Sequence, residues 1–380
     1  MVSALHIYPS PFTHESRILK ETRSLVESGL FDDIVVGAVW EEGLAEHEEL
    51  DASRKVWRVR LRSRRLRGTF GKLLRFAEWY VRILLRFRRN PPDFISCHSL
   101  SGLPLGALFH VFLRSRIIYD THELETETQS TVGIRRTLSK LVERALIRRA
   151  EAVIVVGESI AEWYRKTYDL VEVHVVRNIP TTTGTAPVKT DRLRRAFGLK
   201  DSAMLFICQG MVDEGRGIRI ILDAFAEAPP DRHLVILGYG PLVSEVMQRA
   251  SLHPNVHYHP AVPPGELLEY TAGADVGLSL IENTSLSYFY SLPNKMFEYI
   301  LSGIPVVVSD FPDMAAVVDR LGCGWKSSVD AASVSTLVCS LSREDVAMRA
   351  GRALKSAASL SWRSEEMVLV SLYQRLLAAS

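Results

Sequence analysis

Short apolar runs alternate with amphipathic stretches along the whole chain, the pattern that parallel sheets with covering helices impose on a sequence. In the first half, residues 4–8, 33–39, 56–61, 94–98, 116–120, 152–156 and 173–176 read as strands, with helices predicted at 16–28, 69–88, 103–113, 134–149 and 158–168. A Thr, Gly and Pro cluster at 179–187 has no periodicity and reads as a linker. The pattern then restarts, with strands at 203–209, 233–237, 256–259, 274–280 and 305–309 and helices between or after them. Near the C-terminus, Leu369, Leu372, Tyr373 and Leu376 recur at the i, i+3, i+4, i+7 spacing of one helical face. The fold class expected is α/β: two doubly wound, Rossmann-like parallel-sheet domains whose strand ends face a cleft.

A chain of 380 residues exceeds the size at which a single core stops growing, which agrees with two domains. No apolar run reaches the roughly 18 residues a membrane span needs, and the start lacks a basic segment followed by an apolar one, so a cytoplasmic chain is expected. Cys97, Cys208, Cys323 and Cys339 are far apart and form no CxxC pair, which argues against a zinc site or a disulfide framework.

Net charge is only +2, but it is unevenly spread: from Arg58 to Arg89 twelve Lys or Arg residues face one acid, Glu78. Apolar residues interleave with them, so 69–89 reads as a basic amphipathic helix suited to an anionic membrane surface, with Trp79 and the phenylalanines at the interface. The same pattern fits a helix whose apolar side packs on its own domain. The rest of the chain is not basic, which argues against nucleic-acid binding.

Candidate chemistry concentrates at 291–310, SLPNKMFEYILSGIPVVVSD. Pro293 suits the first turn of a helix, whose free N–H groups favour an anion such as a diphosphate. Lys295 and Glu298 lie three apart on one helix face, able to meet a nucleotide's diphosphate and ribose, or to form a surface ion pair. The turn Gly210 to Gly217, with Gly215 and Arg216, follows a strand and opens a helix, the context in which backbone N–H groups approach phosphate; Arg216 could clamp a diphosphate or be a solvated turn residue. In the first half, His98 and His122, with Glu123, stand at the ends of neighbouring strands. His253 and His257 are four apart, but Pro254 and Asn255 stand where a zinc protease has a helical Glu, which argues against a metal site there, and no GxSxG elbow occurs, which argues against an α/β-hydrolase.

The run LPNKMFEYILSGIPVVVSD, with GADVGLSLIE before it and LFICQGMVDEGRG, YDTHELETE, EAVIVVGESIAEWY and VVRNIP elsewhere, resembles the group 1 (family 4) retaining glycosyltransferases of the GT-B fold. The resemblance implies an acceptor-binding domain at 1–180, a nucleotide-sugar-binding domain at 181–360, and a last helix at 361–380 packing back on the first. It implies transfer of a sugar from a nucleotide diphosphate sugar, UDP favoured over GDP, with retention of configuration and without metal or cofactor. Glu298 matches the second acid of the family's E-x7-E motif; the first position is Tyr290, so Ser291, Leu292, Pro293 or Asn294 would take over its contacts. Arg216 matches one of two diphosphate cations, and Met211 stands where the other is usual, leaving Lys295 to supply that charge. His98 and His122 match positions lining the reaction centre, His98 more closely on the donor-sugar side, with Glu123 and Arg17 as acceptor-side candidates. The basic helix makes a lipid-linked or surface-polysaccharide acceptor at the inner face of the membrane the expectation. A nucleotide-sugar 2-epimerase and a non-catalytic nucleotide-sugar-binding subunit are the alternative readings.

Overall fold

In the computed structural model, residues 2–181 and 188–379 are described; most of the linker predicted at 179–187 lies outside them. The chain forms two compact units, Met1–Arg177 with Glu365–Ser380, and Asn178–Ser364.

The first unit carries strands β1 (Ser3–Ile7), β2 (Asp33–Val39), β3 (His47–Glu49), β4 (Arg54–Val59), β5 (Phe94–Cys97), β6 (Arg116–Asp120), β7 (Ala150–Val155) and β8 (Val173–Val175). They form one sheet in the order β3-β4-β2-β1-β5-β6-β7-β8, parallel except at β3, which pairs antiparallel with β4. Most strand residues are buried, as expected where helices cover both faces of a parallel sheet. The order reverses between β1 and β5, so a crevice opens beyond their carboxyl ends. The helix Trp362–Ala378 begins in the second unit, and its remainder completes the first: Leu369, Leu372 and Tyr373 are buried, and the Tyr373 ring meets Phe31 and Phe94 edge-on.

The basic stretch forms the helix Gly68–Phe87. Trp79, expected at a membrane interface, is instead 1 % exposed and donates its indole N–H to the Ala38 carbonyl at 3.1 Å. A large ring whose N–H finds a partner is more stable inside than at a wet surface. Ile83 turns inward beside it, while Phe70, Leu73, Val81 and Leu85 stay exposed, so the helix carries an inner apolar side and a separate outer one.

The second unit carries β9 (Met204–Met211), β10 (Arg232–Tyr239), β11 (Val256–Pro260), β12 (Val276–Ser279), β13 (Val306–Ser309) and β14 (Gly324–Ser327), all parallel, in the order β11-β10-β9-β12-β13-β14. Alternate residues of β9 enter separate cores: Leu205 and Ile207 on one side, Met204, Phe206 and Cys208 on the other. This sheet reverses order between β9 and β12, which pair only at Val276–Phe206 and Gly277–Ile207 and then separate. The Tyr299 hydroxyl fills the separation, accepting from Gln209 N at 3.0 Å and donating to Leu278 O at 3.2 Å.

Candidate functional site

In the second unit, every expected donor-site residue lies on a segment at or following the carboxyl ends of β9 and β12. Gly210 is the penultimate residue of β9, and the chain turns through Gly215 and Gly217 into the helix Ile218–Ala226. Both turn glycines have positive φ, +75° and +68°, and a Cβ would lie 2.6 Å from the Tyr288 ring at Gly215 and 2.7 Å from Leu280 Cβ at Gly217. The turn is tied to the end of β12 by Glu282, whose N–H donates to Gly215 O at 2.9 Å and whose carboxylate accepts from Gly217 N at 3.1 Å. Glu282 was not singled out in the sequence. Its place directly after a switch-point strand is the signal that would have found it.

Pro293 is the N-cap of the helix Asn294–Leu301 rather than part of its first turn. Its fixed φ suits either place, but a ψ of 138° keeps it outside the helix. Leu292 packs on the core, Ser291 Oγ donates to Tyr288 O at 2.7 Å, and Asn294 is exposed at the helix start.

The surface ion pair between Lys295 and Glu298 does not form. Lys295 is 7 % exposed, with its ammonium 3.8 Å from Cys208 Sγ and no carboxylate partner among the described residues. Glu298 turns to the end of β9, where its Oε2 accepts from Gln209 Nε2 at 2.7 Å; Gln209 Oε1 in turn accepts from Thr271 Oγ1 at 2.7 Å. The Arg216 guanidinium, half-buried, has no hydrogen-bonding or ionic partner among the described residues. A buried, unpaired ammonium is costly without a counter-charge, so this site is electrostatically incomplete and suited to an anion. A carboxylate has about four lone-pair sites, so Glu298, bonded to the Gln209 amide through Oε2, is of a chemistry suited to the hydroxyls of a polyol.

In the first unit, the sequence candidates gather where β1, β5 and β6 end. His98 is 1 % exposed; its Nε2 lies 2.8 Å from His6 Nδ1, and its Nδ1 lies 3.1 Å from Asp120 Oδ2 and 3.4 Å from His122 Nε2. With both nitrogens engaged, His98 is an interior group, and His122, with a quarter of its side chain exposed, is the histidine open to solvent. Arg17 is not on an accessible surface: it is 4 % exposed, donates to Asp120 at 2.8 and 3.2 Å and to Val176 O at 2.7 Å, and lies 2.9 Å from Glu21. A guanidinium at that depth is held by its carboxylate, so its expected role facing an acceptor is replaced by that of an internal counter-ion. Glu123 is exposed beside the cluster.

Burial opposes ionisation of both acids, with opposite outcomes. Asp120 is held well below the usual carboxylate range, because Arg17 and His98 outweigh its desolvation. Glu21 is pushed well above that range by burial, with Arg17 offsetting only part and Asp120 adding to the rise. One negative charge therefore answers Arg17. Burial also lowers the pKa of His122 against the pull of Asp120, and lowers that of His6 with help from His98, so both imidazoles are neutral.

Ligand-type atoms of His6, Glu21 and His98, and of His98, Asp120 and His122, lie within 4.8 Å of one another. The fixed guanidinium on Asp120 and Glu21 competes with any cation there. Glu125, not singled out in the sequence, is partly buried nearby, and burial with the charge of Glu123 raises its pKa to about 8.

Residues 15–179 match the family model described as glycosyl transferase 4-like domain, and residues 203–343 match that of glycosyl transferases group 1. None of the curated proteins matches the sequence. Among solved structures, sucrose-phosphate synthase from Thermosynechococcus elongatus is similar over 100 % of both chains, with a TM-score of 0.84 at 15 % identity. HepE from Anabaena in complex with UDP-glucose is similar over 99 % of this chain and 100 % of its own, at 0.74 and 15 %. WaaG, a glycosyltransferase involved in lipopolysaccharide biosynthesis, is similar over 97 % of this chain and 99 % of its own, at 0.68 and 15 %.

Proposed function

Because the chain belongs to the group 1 glycosyltransferases of the GT-B fold, we propose that it transfers a sugar from a nucleotide diphosphate sugar, a UDP-sugar in preference, to a hydroxyl of a lipid-linked or membrane-associated saccharide, with retention of configuration and without a metal ion. The observation that carries the reading is Lys295, buried beside the β9–β12 switch point with no carboxylate partner among the described residues. A donor diphosphate supplies the missing negative charge. The uridine preference is supported by the UDP-glucose bound to the similarly folded HepE.

In this reading Lys295 and Arg216 hold the diphosphate, with the N-terminus of the helix after Gly217, and Glu298 accepts from the ribose hydroxyls. The acceptor oxygen forms its bond to the anomeric carbon while the bond from that carbon to the diphosphate oxygen breaks. The acceptor proton passes to the departing phosphate. Negative charge grows on the leaving group as the sugar becomes oxocarbenium-like, so cations that bind it more strongly then than before lower the barrier. His122 and Glu123 serve the acceptor from the first unit, and the exposed apolar and basic residues of the helix Gly68–Phe87 hold the protein at an anionic leaflet.

The test is thermal stabilisation across UDP, GDP and ADP with and without EDTA, followed by transfer assays with the product anomer read by NMR. A selective, EDTA-insensitive shift with UDP and a retained anomer are expected. No shift with any nucleotide overturns the reading, and product from donor alone points to an epimerase instead.

A further inference from the structure

Between the sheet edge of the first unit and the helix Gly68–Phe87 lies a cavity of about 220 Å³. Its apolar walls include Val39 at the end of β2, Leu61 just beyond β4, and Phe76 and Trp79 on the helix. The two charged residues lining it are Lys72, exposed, and Arg75, half-buried, one turn apart on the same helix. Neither has an ionic or hydrogen-bonding partner among the described residues.

The local acid is already committed. Glu78 accepts from Arg62 N and Ser63 N at 2.8 Å each, from Ser63 Oγ at 2.6 Å, and from Arg82 at 2.7 Å. These bonds outweigh its desolvation and lower its pKa to about 2. Arg60 and Arg64 are drawn over the Trp40 ring, at 4.5 and 4.8 Å from its centroid. What is left at the cavity is hydrocarbon on the inside and two uncommitted cations at its edge.

We propose that this cavity binds the lipid phosphate of the acceptor: the first segment of a hydrocarbon chain lies against Leu61, Phe76 and Trp79, and the phosphate rests between Lys72 and Arg75. The inference deepens the proposed function and rests on its lipid-linked acceptor. Charge and shape both point to an amphipathic anion. A free sugar offers the apolar walls nothing, and an inorganic anion leaves them empty. The volume is below the ~300–1,000 Å³ of sites that enclose a whole ligand, so it holds a segment of the chain and leaves the rest to the bilayer. Pro9, Val39 and Leu61, which line the cavity, stand at or just beyond the carboxyl ends of β1, β2 and β4, the edge beyond which His122 also follows β6, so the phosphate falls on the working side of the unit.

The experiment uses the full chain and calorimetric binding of decyl phosphate below its micellar concentration, with decanol and inorganic phosphate as separate arms and UDP binding measured on the same samples. Decyl phosphate is expected to bind at least tenfold more tightly than either fragment, and the double substitution Lys72→Glu/Arg75→Glu to weaken it at least tenfold while UDP binding is unchanged. Lys72→Arg/Arg75→Lys is expected to restore it. Leu61→Trp, which fills the cavity from another element, is expected to abolish decyl phosphate binding without moving UDP. Equal binding by wild type and the charge-reversed variant overturns the proposal, as does inorganic phosphate binding as tightly as decyl phosphate. Loss of UDP binding in wild type would strike the proposed function itself, a separate reading.

Discussion

The Lys295 ammonium sits 3.8 Å from the Cys208 thiol, inside the second unit and with no carboxylate among the described residues to balance it. A thiol is a weak acceptor, so the charge is tolerated rather than satisfied. Lys295→Met should therefore leave the ligand-free melting temperature equal or higher, while shrinking the UDP-induced shift and lowering transfer about 100-fold. Parallel melting curves and initial rates check this; a variant that melts earlier and still binds UDP would make the lysine structural.

Glu298 and Lys295 project from the same helix to different partners, so their losses should differ in kind. Glu298→Ala is expected to weaken UDP about tenfold or more and to leave pyrophosphate binding unchanged, since the proposed ribose contact and the Gln209 bond are lost but no diphosphate contact is. Titrating both ligands into both variants separates the two roles.

Because Asp120 carries the charge that answers Arg17 and Glu21 is held protonated, Glu21→Gln should cost less than about 1 kcal/mol. Asp120→Asn alone lets Glu21 ionise in its place and is partly compensated. The double substitution leaves Arg17 only the weaker field of Glu365, which is already paired with Arg177, and should cost about 3–5 kcal/mol, well beyond the sum of the singles. Denaturant unfolding of the four proteins closes the cycle.

Glu125 keeps its proton in the folded chain up to about pH 8, against 4.5 for the ordinary carboxyl. The folded state therefore binds more protons than the unfolded one across that window, and stability falls as pH rises through it. Its contribution is complete below about 4.5 and gone above about 8. Melting temperatures at pH 5 and pH 8.5 should differ less in Glu125→Gln than in wild type.

Phe70 and Leu73 are exposed on the outer side of the helix that buries Trp79. Phe70→Ser/Leu73→Ser should reduce co-sedimentation with anionic vesicles several-fold at low salt without lowering stability, whereas Trp79→Ala should cost about 3–5 kcal/mol. Sedimentation and unfolding on the same preparations distinguish them.

Much of the architecture was legible because parallel strands buried on both faces leave strong apolar runs: Asp33–Val39 and Arg116–Asp120 were read at their observed limits. The strand His47–Glu49 was not, since all three residues are exposed and polar and only the antiparallel pairing with β4 makes them a strand. Nor were the helices Pro312–Leu321, Ala331–Ser340 and Arg343–Ala357; the second is rich in Ser, Thr and Val, which favour helix weakly. At the candidate site, residue types and spacing marked Lys295, Glu298 and Arg216 together. They gave no sign that Lys295 points inward, because i, i+3 spacing describes a face and not what packs against it. Trp79 was misplaced for the same reason: an amphipathic pattern does not say whether its apolar side meets lipid or the protein's own sheet. The ionisation of the Arg17 cluster depends on six side chains from four segments, and no local pattern encodes it.

The helix Trp362–Ala378 has a consequence for the order of synthesis. Glu365 holds Arg177 through its side chain and backbone N–H, Tyr373 Oη meets Ser96 Oγ at 2.8 Å, and Leu376 O accepts from Arg116 at 2.6 Å. The unit whose first strand leaves the ribosome earliest is thus finished by residues translated after the whole of the other one. Until they emerge, Phe31 and Phe94 lack the ring that covers them, and a nascent chain halted after Ser364 would present a complete second unit beside an unfinished first.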